Sequence, residues 1–202
     1  MGIKSKREQI IEASDKLFYQ QGFEHTSFAH IAKSVNISRG NFYYHFKTKD
    51  EILDAVINHR LTKTHAMLDK WEIEGETPYD RIQSFINMLI MNSIKIKNFG
   101  CPVGTLCTEL AKLNHGSLGN ANQLFILFRI WLRRQFEQLG YKTNADSLAM
   151  HLLARSQGIA TLASAFHDEK FIKKEVNYLY EWLSLISKNT SHTEKTDIEG
   201  SI

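Results

Sequence analysis

The chain has 202 residues, which is enough to bury a sizeable hydrophobic core in one large or two small domains. Hydrophobic residues make up 43% and charged residues 23%, while only two prolines and eleven glycines occur, which argues against a turn-rich all-β fold. No apolar run is long enough to span a bilayer, and the first residues lack the apolar core of a secretory signal. A cytoplasmic protein with no membrane partner is therefore expected.

The net charge of +3 is unevenly distributed along the chain. Residues 1–49 carry eight basic against four acidic residues, whereas the remainder carries 17 basic against 18 acidic residues. A basic N-terminal segment on a near-neutral body is typical of proteins that bind a polyanion. A mild excess of lysine also arises by chance in helical proteins, so the charge alone leaves both interpretations open.

Hydrophobic periodicity predicts helices along almost the whole chain and no strand. The predicted helices cover about residues 4–21, 28–35, 39–45, 49–68, 78–97, 102–114, 120–139, 144–166 and 168–187. Capping patterns support several starts: Thr48 with Glu51, Thr77 before Pro78, and Asp168. The polar segment 189–202 is expected to be disordered.

Three short helices at the N-terminus, with a tight turn at Asn36 between the second and third, form a helix-turn-helix pattern. Apolar residues of this segment supply a small core: Ile31, Val35, Ile37, Phe42 and Phe46. The third helix carries polar and aromatic residues suited to the bases and phosphates of a duplex: Arg39, Asn41, Tyr43, Tyr44 and His45. Gly40 lies near its start, where a side chain would obstruct a close partner.

The segment from Arg7 to about Val56 resembles the DNA-binding head of the TetR family of transcriptional repressors. The resemblance rests on Gly22-Phe23-x-x-Thr26-Ser27, on the continuous run from Val35 to Phe46, and on Lys47-x-Lys49-Asp50-Glu51. Asn36 stands where the family often has Gly, and Phe42 stands where it often has Leu.

The resemblance implies an all-α fold in which residues 1–50 are a three-helix helix-turn-helix DNA-binding domain. Residues 51–188 are then a helical domain for effector binding and dimerisation. The implied contacts with a double-stranded DNA operator are Thr26, Ser27, Ser38, Arg39, Gly40, Asn41, Tyr43, Tyr44, His45, Lys47 and Lys49. Thr26 and Ser27 would cap the supporting helix and contact phosphate, as would Tyr43, His45, Lys47 and Lys49. Arg39, Asn41 and Tyr44 would face the major groove, with Arg39 as the main base reader.

The family also implies a homodimer formed by the last two helices, because a two-fold dimer reads a palindrome. The residues expected at the interface are Leu148, Leu152, Ile159, Val176, Leu179, Tyr180 and Leu183. Small residues, among them Ala154 and Gly158, would allow close approach of helices. The alternative is that these apolar residues are buried only within the subunit.

The candidate effector pocket is apolar and aromatic, as ligand sites mostly are. It comprises Phe85, Met88, Phe99, Cys101, Leu106, Leu110, Phe125, Phe128 and Trp131. Because neither carboxylates nor basic groups cluster there, the expected effector is a small neutral compound, hydrophobic or electrophilic. Each of these residues could equally belong to the plain core.

The run Phe99-Gly100-Cys101-Pro102-Val103-Gly104, followed by Glu109-Leu110-Ala111, resembles a motif of several TetR-family branches, some of which respond to drugs or electrophiles. Cys101 precedes Pro102 at a predicted helix start, where the helix dipole favours a reactive thiolate. Cys101 is therefore a candidate sensor of oxidants or electrophiles. The alternative is a small helix-capping residue, with Cys107 as buried filler.

An enzyme is not expected, because no nucleophile–base pair and no phosphate-binding glycine loop occur. The nine histidines show no metal-ligand spacing, so neither a metal nor another cofactor is expected. The sequence thus predicts a ligand-responsive repressor that an effector releases from DNA. A nonspecific nucleic-acid-binding helical protein is the alternative.

Overall fold

The structure, a computed structural model, describes residues 4–199, with the side chains of residues 4–38 and 40–188. All regular structure in this part of the chain is α-helical, as predicted. It comprises α1 (Lys6–Gln21), α2 (Phe28–Ser34), α3 (Arg39–His45), α4 (Lys49–Glu74), α5 (Pro78–Met91), α6 (Ser93–Phe99), α7 (Pro102–Lys112), α8 (Leu118–Gln138), α9 (Ala145–Ala165) and α10 (Glu169–Glu199). None of these helices combines the length and the apolar character that a membrane span requires.

The chain divides into two compact units, neither of which is continuous in sequence. The first unit contains Met1–His65 and Pro102–Phe125, and the second contains Ala66–Cys101 and Ile126–Ile202. Helices α4 and α8 each continue from one unit into the other. These units differ from the division at residue 50 expected from the sequence, because α7 joins the N-terminal helices. The functional division into head and body stays a prediction.

Local capping explains most helix starts. Ser5 and Glu8 form a capping box at α1, and Thr77 and Asp80 form one at α5, where Pro78 takes the first helical position. Asp168 accepts the N–H groups of Lys170 and Phe171 at the start of α10, as predicted. Thr48 accepts the Glu51 N–H, but the Glu51 carboxylate reaches back to the Lys47 N–H, so this capping box is shifted by one residue.

Three predicted helix boundaries were wrong. Helix α4 runs to Glu74, since nothing interrupts it before Gly75. The helix predicted over 78–97 is divided at Asn92, whose side-chain amide donates to the Met88 carbonyl and competes with the helical ladder. Helix α10 reaches Glu199 because neither Gly nor Pro stops it before Gly200. Residues 200–202 of the expected disordered tail lie outside the described residues.

The core of the first unit joins the three N-terminal helices to α4 and α7. Its buried members include Ile10, Phe18, Phe23, Ile31, Phe42, Phe46, Ile52, Leu53, Val56, Leu106, Cys107 and Leu110. Arg60 of α4 is 8% exposed and bridges this core, because it donates to the Asp15 carboxylate of α1 and to the carbonyl of Pro102. The N-terminal helices therefore do not form a self-contained core.

The second unit is a helical bundle in which α10 packs along α5 and α9 packs along α6. Aromatic pairs fill its interior, including Trp71 with Trp131 and Phe85 with Phe128, whose ring centroids lie 5.6 and 5.5 Å apart. Glu72 is held in this unit by Arg81 at 3.0 Å and by Arg134 at 2.9 Å.

Candidate nucleic-acid interface

The turn between α2 and α3 has the geometry of a helix-turn-helix. Asn36 adopts a φ of 51°, in the left-handed region, and its N–H donates to the Lys33 carbonyl. The Ile37 N–H then closes the turn on the Ala32 carbonyl at 3.2 Å. Asn tolerates this conformation less readily than Gly, although better than most residues. Asn36 therefore forms the tight turn between α2 and α3 that the sequence predicts.

The start of α3 presents a polar surface to solvent. Ser38 caps the helix by accepting the Asn41 N–H, and Ser38, Gly40 and Asn41 are all exposed. Gly40 has a helical backbone with no positive φ, and a Cβ built on it would meet nothing within 4 Å. The fold itself does not require glycine at this position, so the missing side chain leaves room for an external partner.

The aromatic residues of α3 divide between core and surface. Phe42 is buried and Tyr43 half-buried, and both rings pack edge-on against Phe28 of α2 at 5.2 and 5.4 Å. Tyr44 is 80% exposed, and its ring lies 5.2 Å from that of the half-buried His45. Phe42 and Phe46 are core residues, as predicted. The packing of the Tyr43 ring on Phe28 fixes the direction in which the Tyr43 hydroxyl can reach a phosphate of the DNA backbone.

The lysines after α3 differ in their surroundings. Lys47 is exposed, and its ammonium donates to the Tyr43 carbonyl at the end of α3. Lys49 is half-buried, and its ammonium makes several contacts within the protein. It donates to the carbonyls of Phe23 and Glu24 and lies 4.2 Å from the Phe23 ring centroid. Lys49 therefore has a structural role in holding the α1–α2 loop, and the phosphate contact expected of it stays a prediction.

The expected phosphate contact of Thr26 also needs correction. Its side chain is 1% exposed, and its hydroxyl donates to the Gly22 carbonyl inside the α1–α2 loop. The helix cap expected of both residues is made by Ser27 alone, which is exposed and accepts the His30 N–H. The Arg39 side chain, expected to read bases, lies outside the described side chains.

The predicted effector residues are distributed over both units. Leu106 and Leu110 are buried in the core of the first unit, where Phe125 packs against them, because α7 turns its apolar face to the N-terminal helices. Phe85, Phe128 and Trp131 are buried in the second unit, while Met88, Phe99 and Cys101 are half-buried there. Leu106 and Leu110 are thus core residues of the first unit, and the pocket stays a prediction.

Most residues expected at the dimer interface are buried inside the protomer. These are Leu152, Ile159, Val176, Leu179 and Leu183, of which none is more than 3% exposed. Leu148 and Tyr180 are half-buried, and the Tyr180 hydroxyl bonds the Asn87 side chain. The prediction chose the more apolar face of each helix. That face packs against α5 and α6, so these five residues are corrected to protomer core.

The segment of α9 and α10 also carries exposed apolar residues, of which the sequence analysis did not predict Phe166, Tyr178 and Leu185. Leu162, Phe166, Tyr178 and Leu185 are between 44% and 75% exposed. Leu162 also lines a shallow cavity of about 330 Å³, together with Ala154, Gly158 and Phe171 among other residues. Periodicity could have located this second, weaker stripe, since Gly158, Leu162 and Phe166 are spaced at four residues.

Comparison with known proteins agrees with this geometry. Residues 10–56 match the model of the bacterial regulatory proteins of the TetR family. The HTH-type transcriptional regulator YuxN of Bacillus subtilis is 33% identical over 97 residues, which are 48% of this chain but only 33% of that protein. An HTH-type transcriptional regulator from the lacX 3′ region of Lactococcus lactis is 26% identical over 88% of this chain and 92% of its own length.

A solved structure reproduces the fold over most of the chain. The crystal structure of a TetR transcriptional regulator from Legionella pneumophila superposes with a TM-score of 0.81 and 25% sequence identity, covering 90% of this chain and 98% of that one. Fold and interface together define a helix-turn-helix transcriptional regulator, a DNA-binding protein. Its helix-turn-helix segment and its all-helical fold are similar to those of TetR-family regulators.

Proposed function

We propose that this regulator represses transcription as a homodimer that binds a palindromic operator through α3. The observation that carries the proposal is the start of α3, where Ser38, Gly40, Asn41 and Tyr44 form one exposed polar surface without contributing to the core. Lys47 adds a positive charge at the other end of this helix. An exposed surface of this composition suits a duplex, whose major groove offers donors and acceptors between two rows of phosphates.

The DNA-binding part of the proposal is tested with a duplex selected by the full-length protein from a random-sequence library. A repressor binds the selected duplex by orders of magnitude more tightly than bulk DNA at physiological salt. Asn41→Ala and Tyr44→Ala should lower the affinity for the selected duplex. Lys142→Ala, an exposed lysine after α8, is the matched control. Equal affinity for selected and bulk DNA would instead indicate the nonspecific binder considered above.

The proposed dimer uses the outer face of α9 and α10. Phe166 is 75% exposed and Leu185 is 65% exposed, and such apolar side chains gain free energy when a second protein surface covers them. Ala154 and Gly158 line the cavity beside Leu162 and leave space for a partner helix. A two-fold axis at this face would give each dimer two copies of α3.

The dimer is tested by sedimentation or light scattering of Leu162→Glu. This change introduces a charge at the proposed interface and should raise the dissociation constant at least about tenfold, given ~1.5–3 kcal/mol for one buried Leu. Ile73→Glu alters an apolar residue on α4 that is 85% exposed, against 44% for Leu162, and is the control. A dimer unaffected by Leu162→Glu contradicts this interface.

The proposed effector is a small neutral compound that binds in the second unit. Trp131 and Gln135 lie one turn apart on α8, and both are buried. The Trp131 indole N–H and the Gln135 carbonyl oxygen have no hydrogen-bond partner among the described residues. Buried polar groups without partners are costly, so they favour a ligand or water that can bond them. Trp131→Phe should weaken effector-induced release from DNA without changing operator affinity.

A second candidate is that an electrophile or oxidant reacts with Cys101. The thiol is free of disulfide bonds and half-buried, and it adjoins Pro102, whose carbonyl is bound by Arg60. A covalent adduct at Cys101 would therefore act on a contact of the DNA-binding unit. If Cys101→Ser is still fully released from DNA by every electrophile and oxidant tested, this second candidate is wrong.

A further inference from the structure

The α1–α2 loop, residues 22–27, is held by two charged side chains of opposite sign. The Glu109 carboxylate of α7 accepts the N–H groups of Phe23 and Glu24, both at 2.9 Å. The Lys49 ammonium of α4 donates to the carbonyl oxygens of the same two residues at 3.2 and 3.3 Å. The Glu109 carboxylate thus accepts hydrogen bonds from the N–H groups of these two peptides, and the Lys49 ammonium donates hydrogen bonds to their carbonyl oxygens. Hydrogen bonds with a charged partner are stronger than neutral ones.

Gly22 shapes the loop to receive this carboxylate. Its φ is 88°, in the left-handed region, and a Cβ on it would lie 2.9 Å from Glu109 Oε1. Glycine is therefore required here twice, for the backbone conformation and for the close approach of Glu109. The Phe23 ring behind this contact is buried and packs edge-on against Phe18 and His115.

Helix α7 is fixed at both ends, so Glu109 is itself firmly placed. At the start of α7, the Pro102 carbonyl is bound by the buried Arg60. After its end, the Ser117 hydroxyl donates to the Asp54 carboxylate of α4 at 2.9 Å. Leu106 and Leu110 anchor the middle of the helix in the core of the first unit.

The loop leads directly into the elements that present α3. Thr26 closes the loop through the Gly22 carbonyl, and the next residue, Ser27, caps α2. Phe28, the first residue of α2, packs against the rings of Phe42 and Tyr43. A displacement of the loop is thus passed through α2 to the aromatic residues of α3.

We propose that Glu109 is a positioning residue for DNA binding, and that α7 is a working part of the DNA-binding unit. Glu109 does not touch DNA. It holds the two loop peptides in the place that α2 and α3 require for reading a specific sequence. The acidic residue in the motif Glu109-Leu110-Ala111 thereby acquires a function separate from any effector.

The test uses the full chain with Glu109→Gln, which keeps the size of the side chain but presents an amide NH₂ to one of the two loop N–H groups. Thr108→Ala, an exposed neighbour on α7, is the matched control. Three measurements are made: affinity for the library-selected duplex, affinity for bulk DNA, and hydrogen exchange at the amides of Phe23 and Glu24. Urea unfolding checks that each variant is folded under the assay conditions.

The proposal expects a loss of about tenfold or more in affinity for the selected duplex, given the strength of hydrogen bonds to charged groups. Bulk-DNA binding should stay near wild type, and the Phe23 and Glu24 amides should exchange faster. A purely structural role would instead lower both affinities in proportion to the loss of folded protein. Wild-type affinity for the selected duplex, or unchanged exchange at these amides, overturns the proposal. Glu109→Asp, which keeps the charge, should recover part of the affinity.

Discussion

Single residues on α3 show where folding and DNA binding make different demands. Gly40 is the clearest case, because its backbone is helical and its surroundings are empty. Glycine within a helix costs about 0.5–1 kcal/mol relative to alanine. Nothing in the described protein requires that cost, which agrees with the close approach of DNA proposed for α3.

We expect Gly40→Ala to raise the free energy of unfolding by about 0.5–1 kcal/mol while weakening operator binding by about tenfold. Urea denaturation and fluorescence anisotropy with the selected duplex measure the two effects. Gly119→Ala is the control, since Gly119 is also an exposed helical glycine with open space around it. It should gain stability without losing affinity. If Gly40→Ala binds DNA as tightly as wild type, the proposal that DNA approaches α3 closely at Gly40 is wrong.

His59 gives the protein a pH-dependent stability. Burial lowers the pKa of His59 below its ordinary value of 6.5, and Lys63 lowers it further, while Asp15 and Glu12 oppose the shift. The unfolded chain therefore takes up the proton first as the pH falls. The stability present above the ordinary pKa is lost as the pH falls from about 6.5 towards the folded pKa.

We expect the unfolding free energy to decline below about pH 6.5, and His59→Gln to flatten that decline. Urea denaturation over a pH series measures it. His65→Gln, at an exposed histidine on the same helix, should leave the slope as in wild type. If the unfolding free energy of His59→Gln falls with pH as steeply as that of wild type, groups other than His59 cause the acid sensitivity.

Helix α7 is anchored at its start through the largely buried Arg60. Arg60 links its first residue to α1 through Asp15, with 2.6 Å between Arg60 Nε and the Asp15 carboxylate. The Arg60 side chain is 9% exposed and that of Asp15 is 26% exposed, so solvent screens the pair only in part. Removal of one partner from a largely buried pair leaves the other charge uncompensated.

Asp15→Asn should therefore lower the unfolding free energy by about 2 kcal/mol, less than for a fully buried pair because Asp15 is partly solvated. Glu12→Gln, which breaks the exposed pair of Lys4 and Glu12 on the same helix, should change it by less than about 1 kcal/mol. Chemical denaturation of both variants measures the two changes in unfolding free energy. Equal losses of unfolding free energy in the two variants would contradict a larger contribution from the Arg60–Asp15 pair.

Sequence patterns predicted the existence and type of almost every helix, because apolar spacing and caps such as Thr77-Pro78 are local signals. They also identified Asn36 as the turn and Phe42 as core. They could not assign α7 to the first unit, since the contact between Glu109 and Phe23 joins residues far apart in sequence. The roles of Lys49 and Thr26 were missed for the same reason.

The dimer helices illustrate a second limit of sequence patterns. Leu152 and Leu183 lie on strongly apolar stripes, but a stripe does not reveal whether its own chain or a second chain covers it. The weaker stripe that includes Leu162 and Phe166 is the exposed one. Prediction of the exposed stripe therefore required knowledge of which residues α5 and α6 already bury.

The first unit of the molecule is discontinuous in sequence. Its core uses Leu106, Cys107, Leu110 and Ala121 in addition to residues of the N-terminal segment. A helix-turn-helix segment cut from this chain would expose that apolar surface and lose the Glu109 contact.

We expect a fragment of residues 1–65 to lack a cooperative unfolding transition by circular dichroism. A matched variant that joins 1–65 to 102–125 through a flexible Gly/Ser linker should unfold cooperatively, because it restores the buried contacts of α7. Cooperative unfolding of residues 1–65 alone would contradict this dependence.

The interleaved order of the two units also determines when each one can be completed on the ribosome. Helices α1 to α3 are synthesised first, but the docking helix α7 follows only after residues 66–101 of the second unit have been made. Translation adds about 5–20 residues per second. For several seconds, a nascent chain therefore carries the reading helix without the support of α7, and we infer that sequence-specific binding of DNA begins only after residue 125 has emerged.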